Sequence, residues 1–317
     1  MLIRNFLAGD AENLVAVHNA ASAGLPGHQL LTLEEARRRT SGHAFDPGTH
    51  FFAEEEKKVV GHASFDPQSG QVTFPCCRPG DERFAHPLFT SVMRAMAQRK
   101  IPRAFATYRA DWADVREFFE DHDFHKSREI VNYTQSFGDL PTMFQRPGLN
   151  VTGLRAEDLP EIEQMAASVL RLTGNRLAEY FLRNPKFATD AFFVLRRKEG
   201  GIKGVGLMID DPSFTPVEET DPKAPGFRFG AFGSEGFRSE RINGLFSFIA
   251  PQGKEAELIG QDLLWYATSR ADTNSFESLA AQAPSDVPHL TRFYDRYFQR
   301  QGCFAVCERD VGTESKF

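Results

Sequence analysis

The chain has 317 residues, of which 41% are hydrophobic and 25% charged, and its net charge is −6. This length predicts two domains, each large enough to bury a core without disulfides. The acidic balance argues against nucleic-acid binding, because nucleic-acid-binding proteins usually show a basic stripe. Four cysteines are too few for a disulfide framework, no apolar run is long enough for a membrane helix, and the N-terminus shows no secretory signal. We therefore expect a cytoplasmic protein with no nucleic-acid and no membrane partner.

The sequence contains two similar halves. The segment IRNFLAGDAENLVAVHN, which starts at Ile3, aligns without gaps with VTGLRAEDLPEIEQMAA, which starts at Val151, and this alignment pairs Asp10 with Asp158. Each segment has the pattern of a short strand, an acidic helix start and an amphipathic helix. A repeat at about half the chain length predicts two domains of the same architecture in tandem.

The remaining elements of the first half follow in a simple order. Thr32 and Glu35 have capping-box spacing and open a short basic helix. A hairpin then turns at Lys57-Lys58. Strands over 71–74 and 103–111 each lead into a helix, and the second of these helices leads into a final strand.

The second half repeats this order. A helix closed by Pro185 precedes a hairpin that turns at Gly200-Gly201. A strand over 245–250 leads into a long helix, and a strand over 275–284 leads into a last helix over 289–302. The chain is therefore predicted to be α/β, with a mixed sheet and helices on both faces in each half.

Two proline-containing stretches punctuate this pattern. Pro141, Pro147 and Gly148 mark a boundary that predicts an N-terminal domain over 1–140 and a C-terminal domain over 149–317. A second stretch, 210–227, contains four prolines and several acids inside the second domain. It is interpreted either as a lid over a site or as a surface insertion.

The element order resembles that of the GNAT N-acyltransferase family. That family commonly ends its last helix with a run such as L-Y-E-K-x-G-F. The segment FFEDHDF matches the spacing with Phe119 at the tyrosine position, and YFQRQGC matches it with Phe298 there. The resemblance covers nearly the whole chain and implies two tandem GNAT-like acyl-CoA N-acyltransferase domains, an arrangement in which one half is often degenerate.

The resemblance also implies where acetyl-CoA would bind. GNAT domains usually carry R/Q-x-x-G-x-G/A before a helix, where glycines and free N–H groups hold the pyrophosphate. Both loops depart from this pattern, since Asp81, Glu255 and other charged residues stand at the glycine positions, and an ordinary strand-to-helix turn explains each loop equally well. The second half is favoured because its preceding strand is apolar and regular. The candidate cofactor-binding residues are Arg78, Gly80 and Arg83 in the first half and Phe248, Ile249, Ala250, Gln252, Gly253 and Lys254 in the second.

Acyl transfer to an amine needs a base for the ammonium and an acid for the leaving thiolate. Tyr297 and Tyr294 are the candidates for the acid, since phenylalanine stands at the family's tyrosine position. Both also belong to an apolar stripe with Leu290 and Phe293, which is typical of a core-facing helix. Glu235 is the candidate base, in a segment that also contains a second glutamate.

No metal site is expected, because Cys76 and Cys77 are adjacent and make awkward ligands. The leading hypothesis is an acyltransferase of the GNAT type that moves an acetyl or similar group from coenzyme A to a small-molecule amine or a peptide amine. The alternative is a non-catalytic protein of this fold that binds acyl-CoA or another small ligand. An open groove between the fourth and fifth strands of one half would favour the enzyme.

Overall fold

The computed structural model describes the chain except for residues 1, 28–29, 42–44, 68, 141–147, 167–168, 171–173, 184–188, 222, 224–241, 272–275 and 313–317. Its contacts form two compact units, one of residues 1–127 with 306–317 and one of residues 128–305. No described helix is long and apolar enough to cross a membrane.

The first unit is built on a four-stranded antiparallel sheet in the order β1-β2-β3-β4. Strand β5 lies outside this sheet and is hydrogen-bonded to the end of β14. The elements are β1 (Leu2–Asn5), α1 (Asp10–Ser22), α2 (Leu33–Arg39), β2 (His50–Glu55), β3 (Lys58–Ser64), β4 (Cys76–Cys77), α3 (Ala85–Gln98), β5 (Arg103–Arg109), α4 (Ala113–Asp121) and the last residues of β14 (Gln299–Asp310).

The second unit repeats this order of elements and so confirms the predicted tandem α/β architecture. Its strands follow the order β14-β6-β13-β12-β9-β8-β7. The elements are β6 (His125–Ser136), β7 (Val151–Gly153), α5 (Leu159–Ala166), α6 (Gly174–Leu182), β8 (Phe192–Arg196), β9 (Ile202–Ile209), β10 (Thr215–Pro216), β11 (Ile242–Asn243), β12 (Leu245–Ile249), α7 (Ala256–Arg270), β13 (Ser278–Pro284), α8 (Pro288–Tyr297) and most of β14.

The two units differ from the predicted domains 1–140 and 149–317 at the last strand of each half. Strand β6 pairs with β13 from Ile130 to Ser136, so residues 128–140 belong to the second unit. The end of β14, from Val306, belongs to the first unit. Each final strand therefore runs through both units, which a boundary based on prolines does not anticipate.

Local signals in the sequence explain most element boundaries. The Thr32 hydroxyl accepts a hydrogen bond from the backbone N–H of Glu35, so the predicted cap of α2 is confirmed. The first hairpin turns at Glu56-Lys57, one residue earlier than predicted, and both residues have positive φ, at 50° and 64°. Such φ values match the two central residues of a tight hairpin turn.

Two predicted elements are wrong in extent. The strand predicted over 71–74 is reduced to single bridges at Gln71 and Val72, and β4 forms two residues later. The last helix ends at Tyr297 instead of continuing to residue 302. Phe298 is extended there (φ −131°) and buried, and its ring stacks on Phe246 at 6.4 Å. Burial of this ring in the core ends the helix.

The core of the second unit surrounds β12, in which all five residues are buried. Phe246 and Phe248 contact α8 through Tyr294, and Phe248 also meets Phe293 edge-on at 4.7 Å. Of the predicted lid over 210–227, residues 210–221 and 223 are described, and Phe214 is buried in the same core. The rest of this stretch lies outside the described residues.

Candidate active site in the second unit

Strands β12 and β13 separate almost as soon as they meet. They are parallel, and the one registered pair described between them is Leu245 with Ala280, where the Ala280 N–H donates to the carbonyl of Gly244 at 2.9 Å. On their other edges, β12 pairs with β9 and β13 pairs with β6 along their whole lengths. The β13-facing edge of β12 therefore presents peptide groups, from Phe248 onward, without a registered strand partner.

Three buried polar atoms lie around this separation without a hydrogen-bond partner. They are the only such side-chain atoms among the described residues of the second unit. Leaving one such atom unpaired costs about 1–3 kcal/mol, so a cluster of them beside an opened strand pair is typical of a binding site. The three atoms are Gln282 Oε1, His289 Nε2 and the Tyr294 hydroxyl oxygen.

Tyr294 points its hydroxyl at the opened edge of β12. The residue is fully buried, and burial raises the pKa of its hydroxyl well above the ordinary value of 10.0. The Ser247 hydroxyl and the Phe248 N–H are near enough to oppose this rise in pKa, yet neither completes a hydrogen bond. A neutral hydroxyl is thus held beside the strand edge and is available to a ligand.

His289 lies in the first turn of α8. It is next to Ala250, which follows Phe248 by two residues on the same edge of β12. Its ring lies beside the backbone of Ala250, immediately after β12. Burial lowers the pKa of its imidazole below 6.5, and the charge of Arg292 lowers it further. The ring is therefore neutral at neutral pH.

Gln282 lies on β13 at the position that follows the Leu245–Ala280 pair, opposite Ser247 in a parallel register. Its Nε2 donates to Asn132 Oδ1 at 2.6 Å, and both side chains are almost completely buried. The Oε1 of this carboxamide remains unpartnered. The opened region is thus lined by neutral hydrogen-bonding groups.

Tyr297, the other predicted acid, is engaged elsewhere. Its hydroxyl accepts a hydrogen bond from Gln261 and lies 3.5 Å from a carboxylate oxygen of Glu257. Both partners belong to α7, so this hydroxyl joins two helices. Tyr294, whose hydroxyl is unpartnered, is the better candidate of the two.

The predicted phosphate loop of the second unit is open. Gln252, Gly253 and Lys254 are exposed, and a Cβ placed on Gly253 would have no described heavy atom within 4 Å. No side chain caps the start of α7, although the N–H of Ala256 donates to the carbonyl of Gly253 at 3.3 Å. Glu257, at a glycine position of the family pattern, is paired with Arg296, which offsets its charge.

The corresponding loop of the first unit is also exposed at Gly80, but its polar groups are engaged by neighbouring residues. The N–H of Gly80 donates to Glu82 Oε1 at 2.9 Å. Arg83 pairs with Glu55 at 2.5 Å, and Arg78 donates to the carbonyl of Val59 at 3.0 Å. All three predicted phosphate-binding residues of this unit already have intramolecular partners.

The last helices of the two units correspond position by position. Aligned on their N-caps, Trp112 in α4 and Val287 in α8, they pair Phe119 with Tyr294. The sequence motif instead placed Phe298 opposite Phe119. The second unit therefore keeps a hydroxyl at a helical position where the first unit has none.

Glu235, the predicted base, lies outside the described residues. His289 and Gln282 were missed by the sequence analysis, because one histidine beside a proline and one glutamine in a strand form no pattern. Among the described residues, no group of three or more His, Cys, Asp or Glu side chains is arranged to hold a metal ion.

Known structures resemble the chain over its full length. A GCN5-related N-acetyltransferase from Sphaerobacter thermophilus superposes with a TM-score of 0.63 at 14% identity, over 98% of this chain and 95% of its own. A tandem GNAT protein from the clavulanic acid biosynthesis pathway superposes with a TM-score of 0.58 at 10% identity, over 99% of both chains. A GNAT-family acetyltransferase from Colwellia psychrerythraea reaches 0.51 at 12% identity, over 98% of this chain and all of its own.

No protein-family model and no curated protein matches the sequence. The structural matches nevertheless show the fold, which is that of the GNAT N-acetyltransferases. More particularly, the chain consists of two such units in tandem, as the match to the tandem protein over both full lengths indicates.

Proposed function

We propose that the chain is an acyl-CoA-dependent N-acyltransferase whose second unit binds the acyl-CoA. The observation on which this rests is the separation of β12 from β13, with three unpartnered buried polar atoms around it. Unpaired strand edges and unpartnered polar atoms are both costly in a folded protein unless a ligand satisfies them. The GNAT fold supplies the reaction class by analogy.

The cofactor-binding residues form a continuous path in this proposal. Gln252, Gly253 and Lys254 and the open N-terminus of α7 would hold the pyrophosphate, where N–H groups and the helix dipole favour negative charge. From there, the backbone of Ala250 and Phe248 would bond to the pantetheine arm along the edge that β13 leaves unpaired. The acyl group would end beside Tyr294.

The bound thioester supplies an activated carbonyl carbon and a leaving sulfur. The N–H of Phe248 would polarise the carbonyl, since a preorganised backbone donor stabilises charge that develops on that oxygen. The amine nitrogen forms a bond to the carbonyl carbon while the carbon–sulfur bond breaks. Tyr294, which keeps its proton at neutral pH, would donate that proton to the departing sulfur. A base, for which Glu235 remains the prediction, would take the proton from the amine.

The first unit would have a structural role. In its phosphate loop the N–H of Gly80 is engaged by Glu82, and Phe119 stands where Tyr294 stands in the second unit. Phe119 also stacks on Tyr108 at 5.7 Å inside an aromatic cluster. These features leave the first unit without the groups that the second unit offers to a cofactor.

Calorimetry with acetyl-CoA tests the proposal. The wild-type protein is expected to bind saturably in the micromolar range, about −8 kcal/mol at 1 μM. Lys254→Ala should weaken binding, and Arg78→Ala, the matched change in the first unit, should leave it unchanged. Absence of binding at millimolar acetyl-CoA would refute the proposal.

Release of free thiol in the presence of a panel of primary amines then tests turnover. Acetyl-CoA binding without thiol release from any amine would favour the non-catalytic alternative.

A further inference from the structure

The side chain of His289 offers a second contact for the cofactor, and the argument rests on the proposed function. His289 is 7% exposed, and its Nε2 has no partner among the described residues. Because Nε2 has no partner among the described residues, we assign the contact with the backbone of Ala250 to Nδ1. That bond raises the affinity of the ring for a proton, as expected when Nδ1–H donates to a carbonyl oxygen.

This tautomer decides what His289 can recognise. In a neutral imidazole, one ring nitrogen carries the proton and the other is an acceptor. With the proton on Nδ1, Nε2 presents a lone pair and needs an N–H or O–H donor. The position of His289 in the first turn of α8, near the positive end of the helix dipole, further disfavours a second proton on the ring.

The position of His289 along β12 indicates which part of the cofactor it would meet. In a strand, residues two apart direct their peptide groups to the same edge, so Phe248 and Ala250 both face the separation from β13. His289 lies beside Ala250, at the end of β12 that is nearer to the phosphate loop. Tyr294 lies beside Phe248, about 7 Å further from that loop. A ligand that runs from the loop to Tyr294 therefore passes His289 with its middle section, which in acyl-CoA is the pantetheine arm with two amide N–H groups.

We propose that His289 Nε2 accepts a hydrogen bond from an amide N–H of the pantetheine arm of bound acyl-CoA. Nδ1–H keeps the ring in place by donating to the Ala250 carbonyl, so the side chain acts as a preoriented acceptor. His289 is in this sense a binding residue that selects the pantetheine arm and not the nucleotide.

The test compares two ligands by calorimetry. One is acetyl-CoA, and the other is adenosine 3′-phosphate 5′-diphosphate, which corresponds to coenzyme A without its pantetheine arm. His289→Leu removes the acceptor at similar volume and is expected to weaken acetyl-CoA binding about 5- to 30-fold, with no change for the nucleotide. His289→Gln restores a carbonyl oxygen and should recover most of the affinity. Lys254→Ala is the matched control and should weaken both ligands.

Equal losses for both ligands in His289→Leu would mean that the ring only supports the loop, and unchanged acetyl-CoA binding would mean that it makes no contact. Either result overturns the inference while the proposed function stands. Failure of the wild-type protein to bind acetyl-CoA would overturn both.

A measurement on the wild-type protein covers the case in which the variants do not fold. The ¹⁵N resonance of His289 Nε2 should have the shift of an unprotonated nitrogen and should move on addition of acetyl-CoA but not of the nucleotide. A protonated Nε2, or no change with acetyl-CoA, contradicts the inference.

Discussion

Tyr294 in α8 occupies the helical position that Phe119 occupies in α4. The two rings differ by one hydroxyl, and that hydroxyl is buried at the separation of β12 from β13 without a hydrogen-bond partner. A fold that needed only an aromatic ring here would be served by phenylalanine, as in the first unit. In the proposed function, this hydroxyl is the group that donates a proton to the departing sulfur.

Tyr294→Phe separates activity from stability. We expect kcat to fall about 100-fold or more, as for loss of a general acid, with acetyl-CoA affinity nearly unchanged. The midpoint of thermal unfolding should stay the same or rise, because an unpartnered buried hydroxyl is removed. Thiol release and thermal unfolding measure the two effects.

Tyr297→Phe is the control for Tyr294→Phe, since its hydroxyl bonds to Gln261. It should lower the free energy of unfolding by about 0.5–1.5 kcal/mol and leave most of the activity. The opposite pattern, with activity lost in Tyr297→Phe alone, would assign the acid to Tyr297.

Each chain is expected to bind one acetyl-CoA. The carboxylate of Glu82 already accepts the N–H of Gly80, and Arg83 is paired with Glu55, so two of the donors that the first loop would offer to a phosphate are already engaged. Calorimetric stoichiometry measures this directly in the wild-type protein and in Glu82→Ala, which frees the Gly80 N–H. A value near two in the wild-type protein contradicts the assignment of binding to the second unit alone.

Gly206→Ala should destabilise the second unit. Gly206 pairs with Phe248 across β9 and β12, and an added Cβ would lie 2.2 Å from the ring of Phe193. Overpacking of this kind typically costs about 1–3 kcal/mol. Gly153→Ala, in another strand of the same sheet, is the matched control because its Cβ would meet no described atom within 4 Å. Urea unfolding of both variants measures the difference, and equal stabilities would show that Phe193 moves aside without cost.

Stability should fall in acid partly through Asp158. Arg196 donates two hydrogen bonds of 2.9 Å to its carboxylate. Burial would raise the pKa of Asp158, but these bonds, the Arg155 N–H and the charge of Arg196 outweigh burial and hold the pKa below the ordinary value of 3.8. The resulting stability is complete above about pH 5 and is lost as the pH falls below 3.8 towards the lower pKa of the folded state.

Asp158→Asn should lower the free energy of unfolding by about 1.5–3 kcal/mol at pH 7, and this difference from the wild-type protein should shrink towards pH 2. Urea unfolding from pH 7 to pH 2 measures it. Glu199→Gln, at an exposed turn position, serves as the control and should follow the wild-type curve. A difference that stays constant with pH would mean that the pKa of Asp158 is not lowered in the folded protein.

Local patterns in the sequence anticipated much of the fold. The capping spacing of Thr32 and Glu35, the glycines at 200–201 and the periodicity of α8 act over a few residues, so they predict elements and turns directly. The alignment of Ile3 with Val151 revealed the tandem organisation. The resemblance to GNAT domains then supplied the candidate loop at Gln252–Lys254 and the tyrosines of the last helix.

The decisive features of the site depend on residues far apart in the chain, and only the tertiary structure revealed them. Strands β12 and β13 share the single described pair of Leu245 with Ala280, and in the other loop the N–H of Gly80 is engaged by Glu82. Sequence alone could not choose between Tyr294 and Tyr297, because both lie on the apolar face of one helix. Their difference arises from what packs opposite each hydroxyl: Gln261 of α7 satisfies one, whereas the other lies at an unpaired strand edge. Short-range patterns determine which elements form, but partners for buried polar groups are settled only when distant strands and helices come together.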